Sequence, residues 1–181
     1  MENQKYIGKY RATVINNSDP KKIGRLQVMV PDVSNVALSS WAMPCVPLGG
    51  AQMGTYMIPT PGAGVWVEFE QGDPDYPIWV GYYWGSAIEV PSLAQLLPPL
   101  PPGVPVPPSM VMQTAGQNAV VVSDAPVPPM KAPGTMLFSQ GTSITLDASG
   151  VTISGSTINL IGGAVNIIGL TNINEGALEI T

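Results

Sequence analysis

Between Tyr10 and Tyr83 the chain alternates apolar and polar residues over short runs, each closed by turn-forming residues. Tyr10 to Ile15 reads as a first strand, ended by Asn16-Asn17-Ser18-Asp19-Pro20. Arg25 to Val30 sets Leu26, Val28 and Val30 against Arg25, Gln27 and Met29, and Pro31-Asp32 closes it. Trp41 to Val46 is a weaker third run. Val65 to Glu70 sets Val65, Val67 and Phe69 against Trp66, Glu68 and Glu70, Gly72-Asp73-Pro74 turns the chain, and Ile78 to Tyr83 returns it. Alternation with a period of two places the apolar set of each strand on one face. Five short strands spaced in this way predict a small closed barrel, because closure removes exposed sheet edges.

The C-terminal pattern is different. Glycine recurs at Gly155, Gly162, Gly169 and Gly176, and the same seven-residue phase holds the small residues Ala148 and Gly141 further back. Three residues after each of the phase positions from Gly141 to Gly162 comes an apolar-x-apolar triplet: Ile144/Leu146, Val151/Ile153, Ile158/Leu160 and Val165/Ile167. The residues between are Thr145, Thr152, Asn159 and Asn166. A heptad could mean a coiled coil, but Ile, Val, Thr, Asn and Gly favour strands and turns over helix. The triplets therefore predict short strands with one apolar face, and the small residues mark the bends. This is a β-helix-like repeat. One chain with strands this short cannot enclose its own core, so the triplets predict a trimer in which three copies bury them in a shared prism. Near the end the register alters: Asn172 and Asn174 fill the expected apolar sites, and Leu178 and Ile180 sit one place early.

The region between is set apart by proline. Residues 91–134 hold twelve of the twenty prolines, and runs such as Pro98-Pro99-Leu100-Pro101-Pro102 favour an extended polyproline conformation. The expected organisation is a barrel at 1–90, a Pro-rich linker at 91–134, with room for one short strand at 117–122, and an intertwined β-helix at 135–181.

Composition narrows the function. Only 10% of the 181 residues are charged, well under the usual quarter or so, so the chain must either hide much of its surface, for which self-assembly is one way, or expose uncharged polar groups. The net charge is −5, which disfavours a nucleic-acid partner. Six of the seven basic residues, Lys5, Lys9, Arg11, Lys21, Lys22 and Arg25, fall in the first 25 positions, as though to dock an acidic partner or to solubilise one end. With one cysteine, Cys45, and no histidine, the chain offers no intrachain disulfide, no clustered zinc ligands and no Ser-His-Asp or Cys-His arrangement. No cofactor or metal is expected. Glu68 and Glu70, two apart, invite a glycosidase reading but read as a solvated strand face, because no facing carboxylate forms a cleft with them. The prolines rule out a membrane helix over 91–113.

The N-terminal residues resemble the OB-fold domain of phage baseplate assembly protein V, the tail-spike family that includes type VI secretion spikes. The matching pieces are Tyr10 to Val14, Asp19-Pro20, Gly24 to Val28, Val30-Pro31, Ser40-Trp41, Pro59, Gly62 to Phe69, Gly72-Asp73-Pro74 and Pro77 to Gly81. The C-terminal repeat resembles that family's trimeric needle. The resemblance implies an all-β homotrimer: a non-enzymatic central spike of a contractile tail or injection system, assembled in the bacterial cytoplasm, that docks on a hub and pierces the target envelope. It lacks the lysozyme domain and His-x-His iron site of some relatives. It therefore also implies a separate PAAR-like tip protein, with Leu178 and Ile180 as its platform and the basic residues as hub contacts. The alternatives are a peptidoglycan-degrading spike enzyme and an OB-fold nucleic-acid binder.

Overall fold

The computed structural model describes residues 4–34, 37–97, 101–162 and 164–166. It divides into two compact units, Met1–Val90 and Pro91–Thr181, and its regular structure is mostly β.

The first unit contains β1 (Tyr10–Asn16), β2 (Gln27–Met29), a helical turn α1 (Pro31–Ser34), β3 (Met43–Pro44), a small hairpin β4 (Gly49–Gly50) and β5 (Met53–Gly54), β6 (Gly64–Phe69) and β7 (Pro77–Tyr82). The strands of the main sheet run β2-β1-β6-β7-β3. An antiparallel bridge between Leu26 and Ala42, with Leu26 N donating to Ala42 O at 3.1 Å and Ala42 N to Leu26 O at 2.7 Å, joins the two edge strands and closes the barrel. The alternation seen in the sequence is realised here. Leu26, Val28 and Val30 face Val65, Val67 and Phe69 across a core completed by Ala12, Val14, Ala42 and Trp79. Trp41 to Val46 contributes only the two residues of β3.

The barrel's long β1–β2 loop is fastened by Asp19. Its carboxylate accepts hydrogen bonds from the amides of Lys21, Ile23 and Arg25 and from the Arg25 guanidinium, at 2.6–3.2 Å. The carboxyl is held well below the usual carboxylate range, first by the Arg25 hydrogen bond, with burial opposing and the amides adding to it. Gly24 beside it has φ +83° and gives its carbonyl to the buried Trp79 indole N–H at 3.0 Å.

The second unit holds a helical turn α2 (Ser92–Gln95) and five strands: β8 (Ser109–Gln113), β9 (Asn118–Ser123), β10 (Gly134–Ser139), β11 (Thr142–Asp147) and β12 (Gly150–Ser154). They form one antiparallel meander, in the order β12-β11-β10-β9-β8. Gly141 and Ala148 lie in the connecting turns, as the seven-residue period predicts. Two of the strands, β8 and β9, fall inside the stretch that composition reads as a linker. Neither contains a proline, so the ladder keeps its donors; the prolines sit between the elements.

Candidate assembly surfaces

The register of the second sheet sorts its residues into two faces. On one, Val111, Val121, Met136, Thr145 and Thr152 align across the strands. This face is covered from within the unit. Leu93, Val127 and Met130 pack on Ala119, Val121 and Met136, with Leu97, Val111 and Phe138 partly buried around them. Thr145, expected on a polar outer surface, is only 7% exposed on this side, and Ser143 is buried with it.

The opposite face carries two cross-strand rows. One is Met112, Val120, Leu137, Ile144 and Ile153; the other is Met110, Val122, Thr135, Leu146 and Val151. Nine of these ten side chains are apolar, and among the described residues no core cluster covers them: Leu137 is 49% exposed, Leu146 47%, Ile144 36% and Val151 67%. Half-buried apolar residues scattered singly are ordinary, but a contiguous sheet face of them marks an interaction surface. The sequence-predicted pairs Ile144/Leu146 and Val151/Ile153 thus share one face on adjacent strands. Sequence reasoning missed their extension to Met110, Met112, Val120, Val122 and Leu137. The signal was there, in the alternation of Ser109 to Gln113 and of Asn118 to Ser123, but proline-rich surroundings outside the seven-residue phase hid it.

Beyond β12, Ile158, Leu160 and Val165 are exposed and in no strand. Ile167, Leu178 and Ile180 lie outside the described residues.

The basic residues of the first unit differ in how the chain engages them. Arg25 is sequestered by Asp19 and stacks over Trp41 at 5.2 Å. Arg11 lies over Trp66 and Tyr83, at 5.6 and 5.4 Å. Lys9 pairs with Glu68. Lys5, Lys21 and Lys22 are exposed. The aromatics follow the same logic: Trp79 is core, Trp41 and Trp66 sit under arginines, and Tyr82 donates its hydroxyl to Met57 O at 2.7 Å. Glu68 and Glu70 do not share a strand, since β6 ends at Phe69 and Glu70 opens the turn. Among the described residues no cluster of potential ligands could hold a metal ion.

Two family models match the chain in sequence. Residues 10–84 match the type VI secretion system/phage-baseplate injector OB domain, and residues 109–179 match the phage baseplate V C-terminal trimerisation domain. A search of curated proteins gave no match. Both matches support a structural component of a phage baseplate or injection system. Matched in order over most of its length, the chain belongs to the baseplate V family of phage-baseplate and injection-system spike proteins. Its place is on a virion or tail-like particle, and the trimerisation domain supports a homotrimer.

Proposed function

We propose that this chain is the central spike of a contractile tail or injection system, a homotrimer with a mechanical and non-enzymatic role. The observation that carries the reading is the bare apolar face of β8 to β12, inside the span that matches a trimerisation domain. Three such faces turned toward a common axis form a dry core, and each side chain covered contributes roughly 1 kcal/mol when half its surface leaves water. Ile144, Leu146, Val151 and Ile153 form the first layers, and Ile158, Leu160, Val165 and Ile167 continue them down a needle. The stretch between barrel and needle is a connector that also covers the outer face of the sheet.

Sheath contraction drives this trimer into the target envelope, and a stiff, sparsely charged needle suits passage without strong ionic contacts. A hub ring holds the barrel end, with Lys5, Lys21 and Lys22 available to an acidic partner while Lys9, Arg11 and Arg25 are engaged within the chain. Leu178 and Ile180, presented three times, form the platform for a PAAR-like tip protein that brings its own metal ligands. The particle is assembled in the bacterial cytoplasm.

Light scattering on the purified chain tests the core of this reading: a trimer mass at micromolar concentration is expected, and a monomer overturns it. Clearing of a cell-wall suspension by the purified protein would overturn the non-enzymatic role, and tight binding of single-stranded DNA would favour a nucleic-acid-binding barrel instead.

A further inference from the structure

The two rows of the exposed sheet face are near copies of each other. On β8 both rows offer methionine and on β9 both offer valine, while β11 offers Leu146 and Ile144 and β12 offers Val151 and Ile153. A step of two residues along a strand leads from one row to the other without changing face. A copy displaced by two residues along its strands, about 7 Å, would therefore set one row where the other belongs and bury almost the same apolar groups. Apolar burial is non-directional and does not choose between the two alignments.

The central strand of the five, β10, breaks this equivalence. Its two positions on the face are Thr135 and Leu137, held there by Met136, which points the other way into the covered core. Thr135 lies between Val122 and Leu146, and among the described residues its hydroxyl has no hydrogen-bond partner. The face lies inside the span that matches a trimerisation domain, so two further copies of the same face are the occupant that the match supports. Threefold symmetry sets every residue level with its two counterparts around the axis. Three Thr135 hydroxyls can then donate and accept among themselves. A displaced copy would put Leu137 in the place of Thr135 and leave hydroxyls buried without partners. One polar residue in an otherwise apolar interface is a known way to fix register, at some cost in stability. We propose that Thr135 is the register key of the trimer: its three hydroxyls bond to one another and single out one alignment of the copies. This rests on the trimer reading above.

Light scattering and NMR of the Ile144 and Ile153 δ1-methyls, both on the full chain, test it. The wild-type protein is expected to be a trimer with one resonance for each methyl. Thr135→Ser keeps the hydroxyl and should give the same result. Thr135→Val keeps the shape and removes the hydroxyl. It should retain the trimer mass and split each methyl into at least two resonances, because displaced copies become at least about tenfold more populated once no hydroxyl is stranded. A single resonance per methyl in a trimeric Thr135→Val protein overturns the register key and leaves the trimer reading standing. So does splitting in Thr135→Ser as in Thr135→Val, since the hydroxyl would then not be the cause. Loss of the trimer mass in Thr135→Val also overturns it, because the hydroxyl would then serve assembly itself and not alignment. If the wild-type chain is a monomer, the trimer reading fails and the register key with it.

Discussion

The two units solve the same problem with opposite outcomes. Both are built on a five-stranded sheet, and both alternate apolar and polar positions. In the barrel the sheet curls until Leu26 meets Ala42, so the apolar face of every strand looks at the apolar face of another. In the second unit the meander stays open. One face, which mixes Val121 and Met136 with Ser143 and Thr145, is covered by Leu93, Val127 and Met130, while the more apolar face is largely exposed among the described residues. The difference teaches that alternation specifies which residues must leave water and not what will cover them. A closed barrel supplies its own cover, whereas an open sheet with one exposed apolar face leaves that face to be covered by something else.

The largest expected effect breaks this contrast on the open side. Leu146→Asp would place three carboxylates together in the trimer core, and each unpaired buried charge costs several kcal/mol. Trimer mass should vanish in light scattering while the barrel remains folded. All four tryptophans, Trp41, Trp66, Trp79 and Trp84, lie in the first unit, so tryptophan fluorescence reads the barrel alone. Asn159→Asp, between the apolar residues of its triplet, should leave the trimer in place. Equal loss from both changes would mean that the inside and outside of the needle are wrongly assigned.

Next comes the closed side. Leu26 is fully buried in the barrel, and Leu26→Ala should cost about 2–5 kcal/mol. The tryptophan-detected transition should fall by that amount with the trimer mass unchanged. Loss of the trimer on this change would show that the two units do not hold themselves together independently.

A smaller effect probes the Asp19 loop, whose folded carboxyl pKa is depressed. Such a group stabilises the fold fully above its unfolded pKa of about 4 and loses that contribution as pH falls toward the folded value. Asp19→Asn should therefore lower the barrel's melting temperature at neutral pH. The gap between variant and wild type should narrow steadily below about pH 4. A gap independent of pH down to strong acid would show that the loop is held by shape and not by charge.

Much of this was legible in the sequence, and the reasons are local. Leu26, Val28, Val65 and Val67 announced themselves because a half-buried strand has a period of two, and the glycine phase placed the turns at Gly141 and Ala148. What could not be read was long-range. Nothing near Ser143 and Thr145 says that the unit's own cover lies over their side of the sheet, since Leu93, Val127 and Met130 are remote in sequence. Arg25 looked like a member of a basic patch, because its burial depends on a loop that brings it back onto Asp19. The β4–β5 hairpin was invisible for a related reason: its glycines and scattered apolar residues carry no period at all.

The smallest expected effect sharpens the comparison within the open unit. The β10–β11 hairpin turns on two residues, Gln140 with φ +46° and Gly141 with φ +91°. Two successive left-handed residues match the twist of the flanking strands, and Asn-Gly is the preferred pair for that turn. Glutamine reaches the left-handed region only against its Cβ, whereas asparagine tolerates it through local hydrogen bonding. Gln140→Asn should therefore stabilise the hairpin, by roughly 0.5 kcal/mol per chain, well short of the 1–3 kcal/mol that a strained backbone can store. The gain should appear as slower exchange of the β10 and β11 amides and leave the tryptophan-detected barrel transition untouched. In a trimer the same change acts three times in one cooperative unit, so the shift in the assembled protein should exceed that in a Leu146→Asp background. An equal shift in both backgrounds would mean that the second sheet unfolds chain by chain, and the open face would then contribute nothing to cooperativity.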